Sequence, residues 1–305
     1  FDEFVNIGDG VVDLVCVDLP YGQTECHWDI VIDLSKMWDD LKRVCKDNCV
    51  YVFFCTTKFG HSLISSNPKW FRYDLVWEKS KALGFLSAKK IPLRQHEMIY
   101  VFSCNSSVDD VNIERNLELR AYAKKVKDYI NKPSKQIFKD MGNTNADHFF
   151  RSHSSQWSMC TESTYNKLIE LYKINEMEGF ISYKKESSPT YNPQMTKGKP
   201  YTVKRTGKIA LYNANLVGVV NTTGDRYPTS ILKFNQPRKS VHPTQKPTDI
   251  LEWLIKTYSN DNDIVLDFTM GSGSTIEACV NTNRRYIGIE KDKDIYLVAK
   301  DRLDL

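Results

Sequence analysis

Ile264-Val265-Leu266-Asp267-Phe268-Thr269-Met270-Gly271-Ser272-Gly273-Ser274-Thr275 is the stretch whose reading decides the architecture. A short apolar run breaks into a glycine turn, and a helix opens at about Ser274. Glycines let a backbone approach a ligand closely, and a helix N-terminus offers free N–H groups to an anionic end. A second run, Arg285-Tyr286-Ile287-Gly288-Ile289-Glu290, then ends in an acid. The offset is close to the ~20 residues at which nucleotide-binding α/β units set a carboxylate against ribose hydroxyls. A lone G-x-G says little, but strand, glycine turn, helix and acid-ended strand together are specific.

Outward from this unit, strands are expected at 11–17, 49–55, 73–78, 97–103, 263–268 and 285–290, mostly as continuous apolar runs. Such runs suit a sheet covered on both faces. Leu34, Met37, Trp38, Leu41 and Val44 share one helical face, and so do Ile250, Leu251, Leu254, Ile255 and Tyr258. Alternation of the two kinds of element predicts an α/β fold with a Rossmann-like, doubly wound and mostly parallel sheet. Ligands then bind where the carboxyl ends of the strands meet, so turns from opposite ends of the chain can be neighbours.

One such turn is Cys16-Val17-Asp18-Leu19-Pro20-Tyr21-Gly22, directly after the run Val11–Val17. It sets a carboxylate, a carbonyl followed by a proline without an N–H, and an aromatic face at a strand end. Asp18 and the Leu19 carbonyl can each accept one hydrogen of an amino group on a flat base, while Tyr21 stacks on the ring. Taken alone, the tetrapeptide reads equally well as a strand closed by an Asx/Pro turn.

Three motifs in this order resemble the amino-methylating DNA methyltransferases that use S-adenosylmethionine, in the arrangement that puts the catalytic half first (the beta type). They are Asp18-Leu19-Pro20-Tyr21-Gly22, His242-Pro243-Thr244-Gln245-Lys246-Pro247 and Asp267–Thr275, with weaker echoes in Leu75-Val76-Trp77-Glu78-Lys79 and Arg94-Gln95-His96-Glu97. The family usually has proline where Leu19 and Phe268 stand; neither change removes a functional group. The resemblance implies that Asp18, Leu19, Pro20 and Tyr21 form the catalytic turn. It also implies that Asp267, Phe268, Gly271, Ser272, Gly273, Ser274 and Glu290 surround S-adenosyl-L-methionine, Glu290 at the ribose. Asp267 either orients its loop or meets the methionine ammonium. His242, Thr244 and Lys246 join the cofactor site, with Lys246 or nearby backbone facing the methionine carboxylate. An acid at the position of Asp18 goes mostly with adenine as target in that family and serine mostly with cytosine, so adenine is expected. Cytosine methylated on its 4-amino group, and a non-catalytic DNA- or cofactor-binding subunit, are the alternatives.

The chemistry asks for little else. A base amine is a poor nucleophile because its lone pair is delocalised, and holding both hydrogens favours a pyramidal nitrogen while stabilising the developing positive charge. The amine of a paired base lies inside the duplex, so the target must leave the stack. No metal is expected. Methylation of cytosine carbon would require a nucleophilic cysteine, typically after a proline, and none of the eight cysteines follows one.

The chain of 305 residues carries a net charge of +4, yet residues 113–208 hold 18 Lys and Arg against 10 Asp and Glu. Basic charge is therefore concentrated in one region, as phosphate contacts with double-stranded DNA require; a solvated lysine-rich surface is the plainer explanation. The expected division is 1–104 and 241–305 as the catalytic and cofactor halves of one α/β domain, with 105–240 as an inserted, mainly helical target-recognition region. Within it, Leu119–Ile130 reads as a helix, Ser134 caps a short one running to Met141, and Thr161 or Ser163 caps a third. Lys124, Lys125 and Lys127 are expected on DNA phosphates, and Arg151, His153 and Gln156 on base edges. The absence of any membrane-length apolar run and the unpaired cysteine spacing point to a cytoplasmic chain with reduced thiols. A homodimer and a cognate restriction nuclease are partners compatible with the resemblance.

Overall fold

Strand β1 (Val12–Asp18) lies inside the sheet, with Leu14 and Cys16 packed on one side and Val15 and Val17 on the other. Both faces are covered, which is why the run is apolar at successive positions rather than at alternate ones. The computed structural model describes residues 2–22, 32–104, 113–154, 157–182, 189–203, 208–209, 214–215, 219–236 and 245–303, with backbone only at 113–118, 208–209, 214–215 and 219.

Beside β1 run β2 (Cys45–Cys55) and β10 (Ile264–Asp267), both parallel to it. β11 (Arg285–Gly288) extends the sheet beyond β10 in the same direction. On the other flank stand β4 (Arg94–Ser103), β3 (Phe71–Leu83) and β9 (Ile231–Phe234), giving the order β11-β10-β1-β2-β4-β3-β9. Only β4 runs in reverse, antiparallel to β2 and to β3. It has to, because β3 enters it through a hairpin, whereas parallel neighbours need a crossover. The carboxyl ends of the other six strands consequently share one edge with the amino end of β4.

Helices cover both faces. α1 (Leu34–Val44) begins where Asp33 accepts from the N–H of Ser35 at 2.9 Å and of Lys36 at 3.2 Å. It buries Met37, Trp38, Leu41 and Val44 on one face of the sheet, beside Phe59 and Leu63 of α2 (Thr57–Ser66). The opposite face receives α7 (Thr248–Tyr258) through Ile250, Leu251, Leu254 and Ile255, and α8 (Ser274–Asn281) through Ala278 and Cys279. α9 (Lys293–Leu303) ends the described chain. The doubly wound, mostly parallel sheet is thus present.

Residues Ser106–Ser187 make a separate compact unit, and Phe1–Asn105 with Ser188–Leu305 make the other. In the smaller unit α3 (Ile113–Ile130), α4 (Ser134–Met141), α5 (Asp147–Phe150) and α6 (Glu162–Tyr172) close on Tyr122, Val126, Ile137, Met141, Phe149, Tyr165 and Leu168. Thr161 caps α6 as expected; Ser134 is the first residue of α4 rather than its cap, which is Pro133. The sequence reading extended the insert to 240. Residues from Ser188 onward instead group with the α/β unit, because β9 pairs with β3 and the Asn192 N–H donates to the Thr257 carbonyl of α7 at 2.7 Å. Two short ribbons, β5 (Tyr201–Val203) with β8 (Val219–Asn221) and β6 (Lys208–Ile209) with β7 (Ala214–Asn215), lie in that returning segment.

Gly60 in α2 tests the packing of this face. A Cβ added there would stand 1.9 Å from Cε2 of Tyr100 on β4. Alanine in a helix ordinarily gains up to ~1 kcal/mol over glycine, but overpacking costs about 1–3 kcal/mol. Gly60→Ala is therefore expected to lower stability, as read by urea denaturation; a higher midpoint would show that Tyr100 yields freely.

Candidate active site

Asp18 ends β1 at the shared carboxyl edge, and its backbone carbonyl accepts a hydrogen bond from Thr269 Oγ1 at 3.0 Å. That bond joins the acidic turn to the glycine loop after β10. The β1–β10 pairing, with Leu14 opposite Val265 and Val15 opposite Leu266, brings the two strand ends level. Both motifs therefore meet at one edge of one unit, as the sequence reading expected.

Each carboxylate oxygen of Asp18 is engaged. Oδ1 accepts from the Tyr21 hydroxyl, and Oδ2 from Lys246 Nζ at 2.5 Å. The Tyr21 ring leans on Phe59 with centroids 5.5 Å apart. Burial, reinforced by the charges of Asp18 and Glu97, pushes the Tyr21 phenol well above its usual range, so it stays a donor. Leu19 is buried, while Pro20 and Tyr21 are partly exposed.

Lys246, or backbone near it, was expected to face the methionine carboxylate of the cofactor; its ammonium sits between two protein carboxylates. Glu97 Oε1 lies 3.0 Å from Nζ, at ion-pairing distance but outside hydrogen-bonding geometry. Burial would lower the Lys246 pKa, but Asp18 and Glu97 outweigh it and hold the ammonium above its ordinary range. Glu97 in turn receives Lys79 at 2.7 Å, and burial, which would raise its pKa, is overcome by Lys246 and Lys79. Nζ of Lys79 lies 4.8 Å from the centre of the Trp77 ring, and that of Lys246 5.2 Å from the centre of Phe54. Glu97 and Lys79 lie in the two weaker echoes, but nothing in their spacing singles them out as partners. Their pairing arises because Trp77 and Glu97 face each other across β3 and β4.

In the glycine loop Asp267 is buried and accepts from the Thr269 N–H at 3.0 Å. Burial pushes its pKa up to about 7; bonds from Thr275 and Thr269 pull the other way, and the charges of Asp18 and Glu290 raise it further. Glu290 Oε2 accepts from the Gly271 N–H at 2.9 Å and Oε1 from the Asp292 N–H at 2.8 Å, so this acid closes the loop. Gly271 and Gly273 have φ of 52° and 80°. A Cβ on Gly271 would meet nothing within 4 Å, whereas one on Gly273 would meet Leu303 Cδ1 at 2.8 Å. Gly271 therefore borders open space, and Gly273 admits α9. Arg302 of α9 donates to the Ser272 carbonyl at 3.1 Å and to Ser274 Oγ at 3.0 Å, and pairs with Glu277. Ser272 and Ser274 are buried, and Phe268 packs edge-on against Phe4 at 5.5 Å. His242 and Thr244 lie outside the described residues.

In the helical unit Lys124 and Lys125 are exposed. Lys127 is tied down: its Nζ donates to the Lys132 carbonyl at 2.8 Å and lies 5.1 Å from the centre of the Phe150 ring, and burial lowers its pKa. Arg151 is paired with Asp147 at 2.6 Å, and His153 is exposed. Gln156 lies outside the described residues. The loop after α5 is packed partly by its own aromatics, Trp157 Nε1 donating to the Phe149 carbonyl at 2.9 Å. Among the described residues no cluster of His, Cys, Asp or Glu has the makings of a metal site, and no helix is long and apolar enough to cross a membrane.

An acidic turn and an open glycine loop meeting at the carboxyl edge of a doubly wound sheet define a ligand-binding α/β protein. More narrowly, the N6/N4 family model described as "DNA methylase" matches residues 12–301, and the chain belongs to that family. Curated relatives include the type II methyltransferase M.HpaI of Haemophilus parainfluenzae, 41% identical over 28% of this chain and 29% of its own length. The type II methyltransferase M.HindIII of Haemophilus influenzae is 32% identical over 38% of this chain and 41% of its own. The aligned part is thus less than half of either relative. The solved M1.HpyAVI–SAM complex superposes with a TM-score of 0.51 at 18% identity, covering 100% of this chain and 93% of that one, a likeness of fold.

Asp267 yields a pH test. Its folded pKa of about 7 lies above the ordinary aspartate value of 3.8, so folding takes up a proton between the two, and the native state loses stability as pH rises through that window. Asp267→Asn keeps an acceptor for Thr269 and should remove this loss. Denaturation midpoints from pH 4 to 7.5 should fall less with pH in the variant, and parallel curves would place the protonation elsewhere.

Proposed function

We propose that the chain transfers a methyl group from S-adenosylmethionine to the exocyclic amine of a base extruded from double-stranded DNA, with the 6-amino group of adenine as target. The observation that carries the reading is the bond between Thr269 and the Asp18 carbonyl, which holds the acidic turn beside the glycine loop. Family membership supports the reaction class. The preference for adenine rests on the resemblance alone, in which an acid at the position of Asp18 goes mostly with adenine; by its chemistry Asp18 can accept from either amine.

The loop residues suit the cofactor. Open space over Gly271 allows backbone approach, and Glu290, holding two backbone N–H groups, has lone pairs left for ribose hydroxyls. When bound, S-adenosylmethionine supplies an electrophilic methyl group. The protein's own part is to present the amine. Asp18 and the Leu19 carbonyl accept its two hydrogens, which aims the nitrogen lone pair and stabilises its growing positive charge. The Tyr21 hydroxyl must release Asp18 Oδ1 for this, freeing the ring to stack on the base. Lys246, retained on Oδ2, fixes the carboxylate's orientation. Lys124 and Lys125 of the helical unit are the cations of the original set best placed to meet phosphates; Lys127 and Arg151 are partly committed to neighbours.

Incubation with labelled cofactor and mixed-sequence duplex DNA, followed by nucleoside analysis, should return N6-methyl-2′-deoxyadenosine; label on cytosine would transfer the mechanism to the other base, and none would end the proposal. Asp18→Ala should slow transfer by about 100-fold or more with cofactor affinity retained. Glu290→Ala should weaken cofactor binding by ~1.5–3 kcal/mol in calorimetry if it accepts from the ribose.

A further inference from the structure

Beyond Lys79, β3 continues past the end of β9 with β4 as its sole partner among the described residues. Its pairing with β9 ends at Lys79 and its last partner on β4 is Arg94, opposite Leu83. Asp18, Phe54, Ile99 and Leu75 form one level across the strands. Arg94 is five residues from Ile99 along β4, so at about 3.3 Å per residue the Leu83–Arg94 pair stands roughly 17 Å past that level, β3 taking up its three extra residues in an irregularity after Glu78. The hairpin therefore projects from the same edge, and in the same direction, as the carboxyl end of β1.

Its surface is unusual in two ways. From Ser80 to His96 there is no acid, while Lys81, Lys89, Lys90 and Arg94 are all present, and every residue but Ser87 is exposed. At the tip Phe85 is 82% and Leu86 101% exposed, followed by Ile91 and Leu93. The turn is nonetheless ordered by its own bonds: Ser87 N–H to the Gly84 carbonyl at 2.9 Å, Ala88 to Phe85 at 3.0 Å and Ile91 to Ser87 at 3.0 Å. Gly84, at φ 89°, starts it. A stiff turn that holds large apolar groups in water, ringed by cations alone, marks a contact surface for a polyanion with an apolar interior.

We infer that this hairpin is a second DNA-contacting element, which lays Phe85 and Leu86 into a groove of the duplex over Asp18 while Lys81, Lys89, Lys90 and Arg94 meet the flanking phosphates. It rests on the reading of the chain as a DNA methyltransferase and adds a grip that belongs to the α/β unit. Apolar wedges against base steps are a general means of deforming a duplex, and the extrusion of a base requires such deformation. Charge complementarity favours DNA over a second copy of this chain, whose hairpin would bring four like charges to the contact.

The two halves of the contact separate by salt. In the full chain, Phe85→Ser with Leu86→Ser should raise the Kd for duplex DNA about ten-fold with the salt slope unchanged, because no counterion is involved. Lys89→Glu with Lys90→Glu should weaken binding and flatten the slope by about two. Thermal midpoint and cofactor affinity should match the parent in both, since the four positions are exposed. A parent that methylates duplex DNA beside a serine variant of parental DNA affinity overturns this inference and leaves the proposed function standing. A parent that transfers no methyl group to any duplex overturns both. If the serine pair loses only self-association, or only binding to phosphatidylglycerol vesicles, the tip belongs to that partner and the inference fails.

Discussion

The parallel pairing of β1 with β10 is the constraint on which the rest depends. Parallel strands cannot be joined by a tight turn, so long crossovers must separate them, and here nearly the whole chain intervenes between Asp18 and Asp267. What is gained is an edge at which two loops of different ancestry in the sequence lie side by side. Thr269 then makes the contact specific: its hydroxyl reaches the carbonyl of Asp18, while its N–H is received by Asp267. One residue thereby fixes both loops, and the position of the acidic turn follows from the register of the sheet.

Around that contact the electrostatics are those of a buried, closed set. Ammonium and carboxylate groups taken out of water are costly unless paired, and Lys246 is held between Asp18 and Glu97, with Lys79 completing the row. Glu97 belongs to the reversed strand β4, whose amino end comes to the common edge only because of its direction. A uniformly parallel sheet would place a strand's carboxyl end there instead. The hairpin geometry of β3 and β4 thus supplies both the second carboxylate beneath Lys246 and the basic arm beyond it.

Much of this was legible from residue order. Continuous apolar runs gave the covered sheet, and the spacing of Leu34 to Val44 and of Ile250 to Tyr258 gave the helices on its two faces, because burial imposes a period that composition alone does not. Gly271 and Gly273 were legible because a turn with positive φ leaves few residue choices, and Glu290 because an acid ends the next apolar run at the expected offset. The partners of Lys246 were not: an ammonium's neighbours are set by strand register, and no local pattern encodes which carboxylate lies opposite. The far limit of the insert was missed for a similar reason. The edge strand β9 is four residues long, exposed at Ile231 and Lys233, and joins the sheet through pairing with β3 rather than through an apolar run of its own. Lys127 and Arg151, expected on phosphates and on base edges, also contact a carbonyl and a carboxylate of their own unit, which a charge count cannot register.

The hydroxyl of Tyr21 and the ammonium of Lys246 on the two oxygens of Asp18 have a consequence for the approach of a polyanion. An isolated carboxylate at the floor of the cleft would repel a phosphate chain across about a Debye length, roughly 8 Å at physiological salt. Here two cations balance two carboxylates, and the outer oxygen is masked by a neutral phenol. Under the proposed function, a DNA strand would meet a floor on which these charges cancel, and the full negative character of Asp18 would be presented only to a group that displaces Tyr21.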